Sequence, residues 1–395
     1  MTSPQNWTDS RLGELCTLHG GSAFSRSLQG REKGDIPFIK QSDMSLAANS
    51  LYIFESNNWV SDADLLELRA HLLPPMSVVF GKIGEGLKRN RYRVLTRPTL
   101  IDNNMMGAVP NSLVDQRFFA IVMSQIDMGS LAEGSALPYL RAEDVGNVRV
   151  LLPPLDEQRA IAGVLGALDD KIESNRRLTA TIDGLLRAEL ENAILNDDNP
   201  REVRFGEIAL RVGEASDPRN LQKHVPYIGL EHMPRGNMFL DEWGSSEGLG
   251  SGKSVFKEGN VLFGRLRPYF KKVGVAPIDG ICSTDVLVLR PAFNESAAML
   301  LAIAASEEFI GYASAAATGT KMPRVSWDYL SDWKTVLPSE AATNRFDIDM
   351  SPLVAKAIDS VHERIALAQL RDALLPELLS GRLRVQDAEP MMENM

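Results

Sequence analysis

Cysteine is nearly absent: the 395 residues hold two, Cys16 and Cys282. Two such distant thiols give neither metal-ligand spacing nor a disulfide framework, and they suit a reducing compartment. The five histidines are scattered with no pair at H-x-x-x-H spacing, so zinc hydrolysis has no support. No long apolar run exists either. AAMLLAIAA at 297–305 falls far short of the roughly 20 residues a membrane span needs, and MTSPQNWTDS lacks the apolar core of a signal peptide. A cytoplasmic protein is expected. No Ser/His/Asp order stands out, and no Asn-Pro-Pro-Tyr-like motif for adenine amino methylation appears. The stretch Glu247-Gly-Leu-Gly-Ser-Gly-Lys-Ser254 approaches a P-loop, but Gly248 lies one place too close to Gly252, and no apolar strand precedes it. A surface loop is expected there. The chain reads as a binder without a reaction of its own.

What is present is unevenly charged. The net charge is −10, yet residues 151–200 hold 5 basic and 10 acidic side chains and residues 338–395 hold 6 and 10. The remainder is nearly neutral, so acidity sits in two blocks, and both blocks read as helical.

The chain is written twice. Gly134-Ser-Ala-Leu-Pro138 matches Gly319-Thr-Lys-Met-Pro323 at an offset of 185. Val79-Phe-Gly-Lys-Ile83 matches Leu262-Phe-Gly-Arg-Leu266, Ile36-Pro-Phe-Ile39 matches Val225-Pro-Tyr-Ile228, and Gly13-Glu14 matches Gly206-Glu207. Landmarks in one order with nearly constant offset indicate two copies of one module. Short apolar runs such as 77–80, 261–264 and 285–290, bounded by Gly, Pro and Asp, read as strands. Short helical patterns interrupt them, giving a mixed α/β module.

A long helix follows each module. From Asp156, Ile161, Leu165, Leu168, Ile172, Ile182 and Leu186 recur at steps of three and four, with Asn175 and Thr179 inside the stripe. The second stripe, Ile358, Val361 and Ile365, is expected to start cleanly after Pro352 and to stop near Pro376 and Gly381. Narrow stripes of this length bury more against another long helix than against a globule, so the two helices are expected to pair.

Basic residues gather at equivalent places. One cluster holds Lys82, Lys88, Arg89, Arg91 and Arg93; the other holds Arg265, Arg267, Lys271 and Lys272, interleaved with Tyr269. Lys321 and Arg324 add a third basic turn. Such clusters neutralise phosphates, and Arg or Lys can read guanine edges. One cluster alone could be a solvated face; two following the same Phe-Gly-Lys/Arg motif point to DNA. Asp169-Asp170-Lys171 contains the D-x-K of a metal nuclease but sits on a helix without a second acidic cluster. Solvated neighbours are expected around the two aspartates, leaving them to meet a basic partner surface.

With the repeat and the helices in place, a family resemblance appears. Leu152-Pro-Pro-Leu-Asp-Glu-Gln-Arg-Ala-Ile161, Leu168-Asp-Asp-Lys-Ile172 and Arg371-Asp-Ala-Leu-Leu-Pro-Glu-Leu-Leu-Ser-Gly-Arg-Leu383 resemble the conserved regions of type I restriction–modification specificity subunits. The resemblance implies an α+β chain with two similar mixed α/β target-recognition domains joined by two long helices packed as an antiparallel coiled coil. The corresponding segments are 1–152 (first recognition domain), 153–198 (central helix), 199–338 (second domain), 339–383 (C-terminal helix) and 384–395 (tail). Each domain would read half of a bipartite asymmetric target in double-stranded DNA, and the helices would set the gap. Two methyltransferase subunits would dock on the helices, with Glu157 and Gln158 on that surface, and motor-nuclease subunits would join them. S-adenosylmethionine, ATP and magnesium would be needed only in those partners. The alternative is a stand-alone DNA-binding regulator with a coiled-coil interface. In one place the copies diverge: Glu157-Gln158 corresponds to Ala342-Thr343, so the two docking surfaces are expected to be unequal.

Overall fold

A computed structural model describes residues 6–46, 48–68, 70–134, 138–217, 224–292, 297–317 and 322–386. The chain divides into two compact units, residues 1–173 with 367–395 and residues 174–366.

In unit 1 the opening strand Thr8–Arg11 pairs antiparallel with the closing strand Arg149–Leu152. The main sheet runs in the order Cys16–Gly20, Met105–Pro110, Val78–Gly81, Tyr92–Leu95, Tyr52–Ile53. A smaller sheet places Ile36–Ile39 between Trp59–Val60 and Leu100–Ile101, parallel to the latter. Unit 2 repeats the plan. Arg201–Arg204 pairs with Lys334–Leu337, and the main sheet runs Ala209–Val212, Val286–Pro291, Val261–Gly264, Val273–Val275. Pro226–Ile228 lies parallel to Gly280–Cys282, as Ile36–Ile39 lies to Leu100–Ile101. The sequence repeat is therefore a repeat of strand pairing.

The Val-Val-Phe-Gly and Val-Leu-Phe-Gly strands are buried along their whole length. This suits continuous apolar runs flanked by neighbours on both edges. Their glycines are required by the loops that fold back over them. A Cβ on Gly264 would lie 2.9 Å from Leu230 Cδ2 and 3.1 Å from the Lys272 carbonyl oxygen; one on Gly81 would lie 2.8 Å from the Gly86 carbonyl carbon.

The first long helix spans Leu155–Leu195 and the second Glu340–Leu379. Within unit 1, Ile161, Leu165 and Leu168 share a core with Leu374 and Leu378. Within unit 2, Ile182 and Leu186 share a core with Val361, and Ile358 and Ile365 pack against it. The early part of one helix thus meets the late part of the other, which makes the pair antiparallel. Burying each of these side chains is worth about 2 kcal/mol. Ile172 is only half-buried. The polar stripe contains Asn175, whose side-chain amide donates to Glu363 at 2.9 Å, and the buried Thr179.

One expectation is corrected. The second helix does not begin after Pro352 but at Glu340, and it runs through both Pro352 and Pro376. Both prolines are exposed, and the carbonyls they leave without a donor belong to Ile348, 73% exposed, and Asp372, also exposed. Water can satisfy such carbonyls, which lowers the usual penalty of an internal proline.

Among the described residues no single helix is long and apolar enough to cross a membrane. The apolar stretch Ala297–Ala304 is buried in the core of unit 2. The Gly-rich stretch at 247–254 is a turn leading into the strand Lys253–Phe256, and Lys253 Nζ donates to the carbonyl and hydroxyl of Ser251. Its lysine is held by its own loop, as a surface turn requires and a phosphate cradle does not.

Candidate nucleic-acid interface

The two strongest sequence landmarks of each module meet in space. After the buried Phe-Gly, Lys82 N–H donates to Asn104 O at 2.8 Å, and Arg265 N–H donates to Asp285 O at 2.9 Å. The strap ending each Gly-x-x-x-Pro element then clips onto the same loop. Gly84 N–H donates to Pro138 O at 3.0 Å and Arg267 N–H to Pro323 O at 2.9 Å. In return Leu140 N–H donates to Lys82 O and Val325 N–H to Arg265 O, at 3.0 and 3.1 Å. Three backbone bonds thus repeat from one unit to the other, and they hold Lys82 and Arg265 at equivalent positions.

The side chains around these clips differ in their engagements. In unit 1, Lys88 and Arg89 are exposed on and after the short helix Glu85–Lys88. Arg91 donates to the Ser45 hydroxyl, and Arg93 donates to the carbonyls of Asn49, Tyr92 and Met44. Arg93 therefore braces the backbone at Met44 and Asn49. Asn90, at φ +46°, turns the chain between these groups and accepts from Met128 N–H.

In unit 2 the turn Pro268–Phe270 is bracketed by Arg267 at φ +50° and Lys271 at φ +53°. Two left-handed non-glycine residues flanking one turn are costly and persist only where the surroundings impose them; such strain concentrates at functional sites. Tyr269 is 51% exposed on this turn. Lys271 pairs with Glu307 at 2.6 Å, and Lys272 Nζ donates to Leu230 O. Burial, then the charge of Arg235, pushes the Lys272 ammonium below its usual range, with Glu231 acting against them. Arg324 makes a two-pronged contact with Asp285 at 2.7 and 3.1 Å, and that hydrogen bond and charge raise its pKa further. Arg265 Nε is buried without a hydrogen-bond partner. Lys321 lies outside the described residues.

Sequence reasoning missed Arg235, whose guanidinium stacks 3.9 Å above the Phe270 ring. It also missed Arg141, which bonds the Tyr139 hydroxyl and Glu133 on the unit 1 strap. The Pro234-Arg-Gly-Asn237 turn, with Gly236 at φ +70°, was the available signal for the first.

On the helices, Glu157 accepts from the Trp7 indole at 2.9 Å, and the buried Gln158 accepts from Asp115 N–H at 2.8 Å and donates to Pro153 O at 2.8 Å. Both face their own module. Thr343, the counterpart of Gln158, is also buried and donates to Pro338 O, the counterpart of Pro153 O. The divergent sequence thus keeps one of the anchoring bonds. A second expectation is corrected at Asp169, which is largely shielded from solvent, whereas Asp170 is exposed beside an exposed Arg117. Asp169 binds Arg371 at 2.9 Å, while Asp170 binds Arg117 at 2.9 Å and the Tyr52 hydroxyl at 3.1 Å. Burial pushes the Asp169 carboxyl up, opposed by the Arg371 hydrogen bond.

Comparison with known proteins agrees with this geometry. Residues 4–183 match the type I restriction modification DNA specificity domain. The matched segment and the relatives below make the chain similar to type I restriction–modification specificity subunits. It is 20% identical to the type I restriction enzyme MjaIX specificity subunit of Methanocaldococcus jannaschii over 97% of this chain and 95% of that protein. It is 21% identical to the type I restriction enzyme EcoDI specificity subunit of Escherichia coli, over 97% and 90%. A crystal structure of a type I system S subunit from M. genitalium shares the fold at TM-score 0.60 and 15% identity, covering 96% of this chain and 98% of that one. A specificity subunit is the non-catalytic, DNA-recognising member of its system. The stand-alone regulator reading finds no support in these comparisons.

Proposed function

We propose that each unit of this specificity subunit reads one half of a bipartite, asymmetric DNA target through its loop-and-strap site. The observation that supports this reading is the backbone clip repeated in both units beside unlike side chains. Equivalent scaffolds carry Lys88-Arg-Asn-Arg91 in one copy and Tyr269-Phe-Lys-Lys272 in the other, so the half-sites differ. Lys82, Lys88, Arg89, Arg265, Arg267, Tyr269 and Arg235 are the contact candidates. Arg91, Arg93 and Arg324 chiefly position the loops, and Lys271 and Lys272 share both tasks.

The paired long helices set the unread gap, as half-site spacing follows protein geometry. Two methyltransferase subunits and motor-nuclease subunits complete the assembly. Adenine methylation from S-adenosylmethionine, with the target base flipped out of the duplex, takes place in the former, and ATP and magnesium serve the latter. The complex works in the cytoplasm.

The test is binding of DNA carrying the methylated target, located by single-molecule sequencing of the host genome with and without this chain. Lys88→Ala and Arg265→Ala should each weaken binding, by about 1–3 kcal/mol for a base-edge contact, and a phosphate contact should lower the salt slope by about 1. Unchanged affinity and salt slope in both variants would overturn the assignment.

A further inference from the structure

Each unit also carries an apolar groove that the DNA-reading site does not use, and the two grooves are built from equivalent elements. In unit 2 a groove of about 720 Å³ lies between the end of the first long helix, the end of the helix Ala297–Ala304, and the closing strand with Trp333 before it. In unit 1 a groove of about 380 Å³ lies between Leu379 of the second long helix, the end of the helix Gln116–Ser124, and the closing strand with Val148 before it. The offset of 185 that aligns the modules carries the wall Val148–Leu151 onto Trp333–Val336. A depression repeated with the repeat is a property of the module.

The unit 2 groove presents apolar surface to solvent: Leu195 is 82% exposed and Val336 39%. Surfaces of this kind, rimmed by polar groups, mark interaction sites. The rim here is acidic. Glu191, Glu202 and Glu308 line it, together with a Glu307 paired with Lys271, against Lys334 and an Arg187 already bonded to Asp183 and the Ala305 carbonyl. Phosphates would be repelled, so the occupant is not DNA. A second copy of this chain carries a net charge of −10 and is a poor match. What fits is a partner segment with an apolar face and Lys or Arg at its flank, such as an amphipathic helix laid in a groove. The unit 1 groove has a weaker acidic rim: Asp127 lines it, and its Arg149 is paired with Asp9.

We infer that the two grooves seat the same amphipathic, basic-flanked segment of two copies of one partner subunit. This rests on the proposed methyltransferase partnership and names its docking surface, in place of the aspartates at 169 and 170. The unit 2 seat should be the more salt-sensitive of the two.

The experiment uses the full chain co-expressed with the methyltransferase subunit of its host, with stoichiometry read by native mass spectrometry. The wild type should carry two partner copies. Leu195→Glu with Val336→Glu, both at exposed positions, should leave one. Independently of folding, benzoylphenylalanine replacing Gln125 in one chain and Glu308 in another should each cross-link to the partner on irradiation. Retention of two copies by the double variant, with no cross-link from either position, overturns the grooves while leaving the partnership intact. Cross-links to a second copy of this chain, or from one position only, overturn the inference as well. A wild-type chain that binds no partner refutes the partnership itself, and the grooves with it.

Discussion

Replacing Asp183 should loosen the first long helix from unit 2 by a predictable amount. Asp183 is 9% exposed. One carboxylate oxygen accepts from the buried Met238 N–H at 2.7 Å, and the other accepts from Arg187 Nε at 2.8 Å. Asp183→Ala leaves the Met238 amide without an acceptor, which costs about 1–3 kcal/mol. The Arg187 side chain is 30% exposed and keeps the Ala305 carbonyl, so its share is screened and adds about 1 kcal/mol or less. The total is about 1–4 kcal/mol. Asp183→Asn retains an acceptor for the amide and should cost about 1 kcal/mol. Hydrogen exchange at the Met238 amide reports on this bond directly, and urea unfolding followed by the tryptophans of unit 2 reports the sum. Protection at Met238 should fall steeply in the alanine variant and little in the asparagine one. Equal effects of the two substitutions, or a change below about 0.5 kcal/mol for alanine, would show that the helix is not held in this way.

Three further outcomes follow from buried groups. Gln158→Leu removes partners from Asp115 N–H and Pro153 O and should cost about 2–4 kcal/mol, whereas Thr343→Val removes only the bond to Pro338 O and should cost about 1 kcal/mol; thermal unfolding of the two variants should show that ratio. Burial pushes the Cys16 and Cys282 thiols up to about 12, so iodoacetamide at pH 8 should label neither in the native chain and both after unfolding. His19 and His71 stack with ring centroids 3.9 Å apart, and burial, then the His71 charge, holds His19 below its usual 6.5. Between that lowered value and 6.5 the unfolded chain binds more protons, so stability falls as the pH falls through the window. His71→Phe should reduce this acid-side loss in melting temperatures measured from pH 7.5 to 5; an unchanged profile would assign the shift to burial alone.

Much of the architecture was legible because the repeat is written in residues that geometry constrains. Gly81 and Gly264 admit no side chain, and Pro138 and Pro323 end straps whose carbonyls cap the loops beyond those glycines. Residues fixed by contacts in both copies survive as landmarks. The helix pairing was legible for a similar reason, since Leu165 and Leu186 must recur on one face to be buried. The misreadings come from information that sequence does not carry. Pro352 looks like a helix start unless the exposure of Ile348 is known. Asp169 looks solvated until Arg371, 202 residues away, is placed against it. In the basic clusters, composition could not separate Arg93, which braces backbone carbonyls, from Arg89 on the exposed surface.

The pairing of Thr8–Arg11 with Arg149–Leu152, and of Arg201–Arg204 with Lys334–Leu337, has a consequence for how such chains diversify. Each reading cassette leaves its scaffold through the same two-stranded gate by which it came in. A foreign cassette with the same gate could be spliced in by recombination at two points while leaving the two long helices in place. New target sequences are then reachable by exchange of whole cassettes as well as by slow substitution of single bases' contacts.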